Sequence, residues 1–361
     1  MICAIFNYTE PVKLLVLILI ASGAQAQTWT QHSSGTTESL RGVSAVSARV
    51  VWASGTKGAY LKTTDGGVTW HAAVVPGAEQ LDFRGVHGVD NRIAYLLSSG
   101  EGDKSRIYKT IDGGSHWTLQ FTNSDAKGFF DAVRFWSPRH GIVLGDPVDG
   151  QFVMLTTEDG GEHWIRQRTP VALPGEGAFA ASNSCLTVTG EREVWFGTGG
   201  PGAARVFHST DGGRKWTIAT TPIRKDGASA GIFSLAFSDA QNGVAVGGDY
   251  TRAEDASHNI AVTSDGGRTW REPSGRPNGY RSSIAFSGHG IWLATGPSGT
   301  DISSDNGNTW KSLDSGAYNA VSFAPGGVAW AVGPNGRVGQ ASGLSLKQAG
   351  GLPTTHDRRA P

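Results

Sequence analysis

Three sets of side chains in this 361-residue chain could do chemistry or hold a charged ligand. The first is cationic: Arg41 in LRGV, Arg84 in FRGV and Arg134 in AVRF carry guanidinium groups, whose fixed fork of donors suits carboxylates. The second is acidic. Asp249, Glu254 and Asp255 lie close together in GGDYTRAEDASHN (247–259) and are the best candidates for hydrolysis of a glycosidic bond, which needs two carboxyl groups about 5–9.5 Å apart. The third is Tyr250 and Arg252 in the same segment, residue types that carry much of the binding energy at protein interfaces. Other chemistries lack their residues. The ten histidines are scattered, with no H-E-x-x-H, no cysteine cluster and no D-x-D-x-D spacing, so no resident metal is expected. GTGGPGAAR (197–205) is glycine-rich, but no helix follows it, so a phosphate cradle fails and no cofactor is expected. Basic and acidic residues balance at 31 each, which leaves no field to draw in nucleic acid.

The first 26 residues stand apart. Lys13 precedes the apolar run LLVLILI (14–20), and Ala24-Gln25-Ala26 is an A-x-A cleavage signal. Residues 1–26 therefore read as a signal peptide, with Gln27 beginning a soluble mature chain in the periplasm or outside the cell. The apolar run is too short to cross a bilayer. Cys3 leaves with the peptide, so Cys185 has no disulfide partner and apolar burial must hold the fold together. In SNSCLTVTG that cysteine reads as a small buried residue at a strand.

The elements that must position these residues repeat. TTDGGVTW (63–70) recurs as TIDGGSHW, TEDGGEHW, STDGGRKW, TSDGGRTW and SSDNGNTW, with aspartates Asp65, Asp112, Asp159, Asp211, Asp265 and Asp305. The paired tryptophans are Trp70, Trp117, Trp164, Trp216, Trp270 and Trp310. Around the first motif lie four short strand-like runs, 40–46, 50–55, 59–64 and 69–75, separated by turn residues, which is the pattern of a β-meander. Connections this short leave no room for crossover helices, so a parallel α/β sheet is excluded. Each D-G-G supplies the positive φ of a tight turn, and its carboxylate can accept nearby N–H groups. The six aspartates and their tryptophans are thus expected to be structural.

The two ends complete the count. Residues 28–33 look like a fourth strand without its first three; 318–324, 327–333 and 336–342 look like three strands without a fourth, and Gly343 stands where the aspartate would be. An all-β, seven-bladed propeller spanning 27–343 follows, each blade four antiparallel strands, with the N-terminal strand closing the last blade. Residues 344–361 read as a disordered tail.

The S/T-x-D-x-G-x-x-W motif resembles the Asp-box (BNR) repeat of sialidases and related propellers. With its spacing, 28–343 looks most similar to the seven-bladed photosystem II assembly factors and their non-photosynthetic bacterial relatives. That resemblance implies a non-catalytic scaffold that binds a protein partner through basic residues across the propeller, here Arg41, Arg84 and Arg134, with Tyr250 and Arg252 on a long loop. It also implies that the aspartate turns lie on the face away from the binding site. A glycan-binding or sialidase-like propeller is the alternative, although no F/Y-R-I-P signature is present. A monomer is expected, and the sequence does not name the partner.

Overall fold

The computed structural model describes residues 29–344; the segment read as a signal peptide, and all but the first residue of the segment read as a tail, lie outside the described residues. Seven antiparallel sheets follow one another in chain order as the blades of a propeller. Blade 1 comprises Leu40–Ala45, Val51–Gly55, Ala59–Thr63 and His71–Val74, paired in that order. Blade 7 takes Ala320–Phe323, Ala329–Val332 and Val338–Ala341 from the C-terminus, and Thr30–His32 pairs alongside as its fourth strand. The register Thr30 to Gln340 and His32 to Val338 closes the ring as expected. Trp29, 5% exposed, reinforces the closure by donating its indole N–H to Thr300 Oγ1 of blade 6 at 3.2 Å.

Blade 5 departs from the four-strand pattern. Its fourth strand shrinks to one bridge, in which Arg271 and Val262 exchange both backbone hydrogen bonds. Pro273 follows two residues later and cannot donate to a ladder, which ends the pairing there.

The core consists of seven apolar clusters, and each fills a seam between neighbouring blades. Trp52 and Tyr60 of blade 1 meet Phe83, Leu96 and Tyr108 of blade 2; Tyr95, Leu97 and Ile107 of blade 2 meet Phe130, Val133 and Val143 of blade 3. The second strand of a blade is therefore buried on both faces, which is why runs such as AYLLSS show no polar alternation. Trp52, Trp195, Trp292 and Trp330 are fully buried in second strands.

The six aspartate turns have one geometry. At the first, the Thr63 hydroxyl donates to Asp65 Oδ1 at 2.8 Å and accepts the Gly67 N–H at 2.9 Å, while Asp65 accepts the Thr69 N–H at 3.0 Å. The same three bonds recur at Asp112, Asp159, Asp211, Asp265 and Asp305. Each turn also leans on the preceding blade. Gly67 has φ +88°, and a Cβ there would lie 2.4 Å from the Trp330 ring of blade 7. The motif tryptophans, all partly buried, share these seams: Trp70 meets Trp330 edge-on, and Trp117 meets Tyr60 of blade 1. They join blades as well as covering their own hairpins.

Candidate functional site

Seven register-equivalent residues surround the channel mouth, one from each blade, in the first strand or just ahead of it: Arg41, Arg84, Asp131, Ser184, Phe233, Ser282 and Asn319. In four blades the position is a β-bulge. The pairing register skips between Leu40 and Gly42, Phe83 and Gly85, Phe130 and Ala132, and Ile232 and Ser234. The skipped residue is freed from the ladder, and its side chain is re-aimed. Small residues follow around the ring, Gly42, Gly85, Ala132, Cys185, Ser234, Ser283 and Ala320, because the first strands converge there. At Gly85 a Cβ would come within 2.7 Å of Asn183 Oδ1.

Six of the seven ring residues, all but Ser184, line a cavity of about 1130 Å³. Its other walls come from the connections that precede first strands and that join second strands to third, on the face opposite the aspartate turns. The segment 168–184 forms the floor, and the sequence reading missed it. Asn183 accepts the Val133 N–H at 2.8 Å and donates to Val86 O at 3.1 Å, tying blades 3 and 2. Ser182 donates to Ser282 O of blade 6, and the Ser184 and Ser234 hydroxyls share a hydrogen bond with blade 5. Through these bonds residues 182–184 reach blades 2, 3, 5 and 6, and 172–181 line the cavity above them. Its outer part is anchored by Glu176, buried against Thr198 and Arg205.

The cavity has three unlike sides. On the basic side, Asp82 lies between Arg84 at 2.8 Å and Arg41 at 3.5 Å, and Arg84 also donates to Ala180 O at 3.3 Å. On the aromatic side, Phe179 stacks on Phe233 at 3.8 Å, with Tyr280 edge-on at 4.7 Å and Tyr250 at 6.1 Å. On the acidic side are Asp131 and Asp146, the latter freed by a second bulge between Gly145 and Pro147. Burial, then the charge of Asp146, pushes the Asp131 carboxyl well above the usual range, and Arg84 opposes this only in part. Burial likewise pushes Asp146 up to about 6, against the pull of the Ala178 N–H. Burial and the neighbouring Asp131 raise the Cys185 thiol, so it sits neutral among the small residues of the ring.

The structure distributes the sequence candidates unevenly. Arg41, Arg84 and Tyr250 meet at the cavity. Arg134 lies three residues deeper in its strand, bonded to Leu186 O at 3.2 Å, and does not line it. Arg252 is held by Asp249 at 2.6 Å and Asp226 at 3.0 Å. Asp249, Glu254 and Asp255 are not brought together at the cavity. Although burial pushes Asp249 up, bonds from Thr251 and Arg252 hold its carboxyl below the usual range. The Ser257 hydroxyl and N–H, with Arg224, do the same for Asp255; Glu254 is exposed. Among the described residues no group of three or more His, Cys, Asp or Glu side chains has a metal-holding arrangement. The register of Asp131 with Arg41 and Arg84 was the signal pointing to the acidic side; Asp146 left none, because its position depends on a bulge.

These features define the class: a seven-bladed, four-stranded antiparallel β-propeller with a floored cavity at its channel mouth. No family model matches the chain, and no curated protein matches it. Solved structures do share the fold. A YCF48 bound to D1 peptide is 15% identical, with a TM-score of 0.62 over 87% of this chain and 96% of its own. YCF48 from Cyanidioschyzon merolae is 17% identical, with a TM-score of 0.58 over 87% and 98%. The WD40 β-propeller domain of Doa1 is 13% identical, with a TM-score of 0.60 over 90% and 99%. At these identities the likeness is one of fold.

Proposed function

We propose that the protein is an exported binding scaffold whose channel-mouth cavity docks an extended segment of a client protein. The observation that carries this reading is the ring itself. Equivalent positions of a repeated fold carry two arginines, an aspartate, a phenylalanine and small polar residues, and all but one open into one cavity. Mixed charge beside aromatic faces suits a polypeptide, which offers amides, charges and apolar side chains together. The peptide bound to one YCF48 neighbour makes a peptide ligand a natural occupant for this fold. Export rests on the A-x-A signal ending at Ala26. The aspartate turns, read as Asp-box repeats, hold the blades on the opposite face.

Affinity capture with the mature chain, compared with the Arg41→Gln/Arg84→Gln variant, tests the reading. The variant should fold normally and bind its client more weakly by about 1–3 kcal/mol, toward the lower end of the range for buried ion pairs because Asp82 already engages both arginines. Equal capture by both proteins would remove the arginines from the interface.

A further inference from the structure

Among the described residues, no cation forms an ion pair with the acidic side of the cavity. Asp131 is 1% exposed, lines the cavity, and neither of its carboxyl oxygens has a hydrogen-bond partner. The other polar ring residues have a partner. Arg84 bonds to Asp82, Arg41 stands in an ion pair with Asp82 at 3.5 Å although its Nε makes no hydrogen bond, Ser184 bonds to Ser234, Ser282 donates to Asn319 O, and Asn319 donates to Leu40 O. Asp146 beside Asp131 receives the Ala178 N–H at 2.9 Å and makes no ion pair among the described residues.

The groups able to answer these carboxyls are committed elsewhere. Arg84 is held by Asp82 and Ala180 O, Arg134 by Leu186 O, and Arg205 by Glu176. Lys127 stands exposed at the rim and pairs with neither aspartate. A buried carboxyl with no donor is costly, and the cost is relieved once a donor arrives.

We propose that Asp131 and Asp146 form a subsite for an organic cation, the guanidinium or ammonium of a basic side chain on the molecule that fills the cavity. A guanidinium offers five N–H donors and can serve two carboxyls at once. The aromatic side, Phe179, Phe233 and Tyr280, gives its aliphatic stem an apolar surface. A metal ion suits the site less, since calcium takes about six to eight oxygens and two carboxyls supply at most four. The subsite rests on the docking reading only for what carries the cation.

The test needs no client. N-acetyl-arginine methylamide, the lysine analogue and the uncharged citrulline analogue are titrated by NMR into the mature chain, with calcium chloride as a separate probe. The arginine or lysine compound should bind at least about tenfold more tightly than citrulline, and whichever of the two binds more tightly identifies the cation. That preference should fall below about twofold in Asp131→Asn and in Asp146→Asn, both checked for an intact melt. Equal binding of charged and uncharged analogues, or a preference that survives both substitutions, overturns the proposal. So does saturation by calcium without any preference for the cationic analogues. Failure of the docking reading looks different: there, client capture is indifferent to Arg41 and Arg84 while the cation preference stands.

Discussion

The two faces of the propeller use the same repeat in opposite ways. On one face six turns carry the same aspartate, hydroxyl and glycine, and the same three hydrogen bonds close each. On the other, seven equivalent positions carry five residue types, and four of them are bulged out of their ladders. Uniformity marks what the hairpin that closes a blade needs. Variation at equivalent positions is what the proposed docking of a client at this face requires.

Ring closure supports both faces, so breaking it should have the largest effect. Trp29→Ala should cost about 3–5 kcal/mol by emptying the seam between blades 6 and 7, and deleting 27–34 should lower the melting temperature further. Denaturant unfolding measures the first and calorimetry the second.

The acidic side sharpens the contrast through pH. Asp146 titrates at about 6 in the folded chain, against an ordinary value of 3.8, so the folded state holds that proton more tightly. The wild type should therefore lose stability as pH rises from about 4 to about 6, by roughly 2 kcal/mol, and Asp146→Asn should remove that loss. Urea melts across this window decide it; parallel curves for the two proteins would contradict the assignment.

The turns should respond in the opposite sense. The His163 N–H, despite some burial, holds Asp159 below the usual carboxylate range, with further bonds from the His163 ring and Thr157. Its contribution is present above the ordinary carboxylate value and is lost as pH falls through the lower, folded value. Asp159→Ala should cost only about 1 kcal/mol, since five sister turns remain and the site is partly solvated. Client binding should be unchanged, which a titration of the folded variant checks.

Much of the fold was legible because it repeats. The strand runs around Asp65, the orphan strands at the two ends and the closure of blade 7 all followed from the motif's spacing. Arg41 and Arg84 were legible at the mouth for the same reason, since they occupy one register in neighbouring blades. What escaped was aperiodic. The 168–184 segment has no counterpart in other blades, and its role depends on Asn183 and Ser182 reaching other blades. Arg134 was grouped with the mouth arginines although it lies three residues past their register, and that offset leaves it bonded to Leu186 O of the next blade, away from the cavity lining. Asp249 and Asp255 looked available as carboxylates, but the arginines that hold them lie partly outside their own loop, at Arg224, and cannot be read from local sequence.

Hydrogen exchange of the mature chain with and without its captured client tests the division of labour between the faces most directly. Protection should appear around 128–133, 172–181 and 280–283, at the cavity, and be absent from the turns at 63–70, 157–164 and 263–270. Protection confined to the aspartate turns, with the channel mouth unchanged, would contradict it.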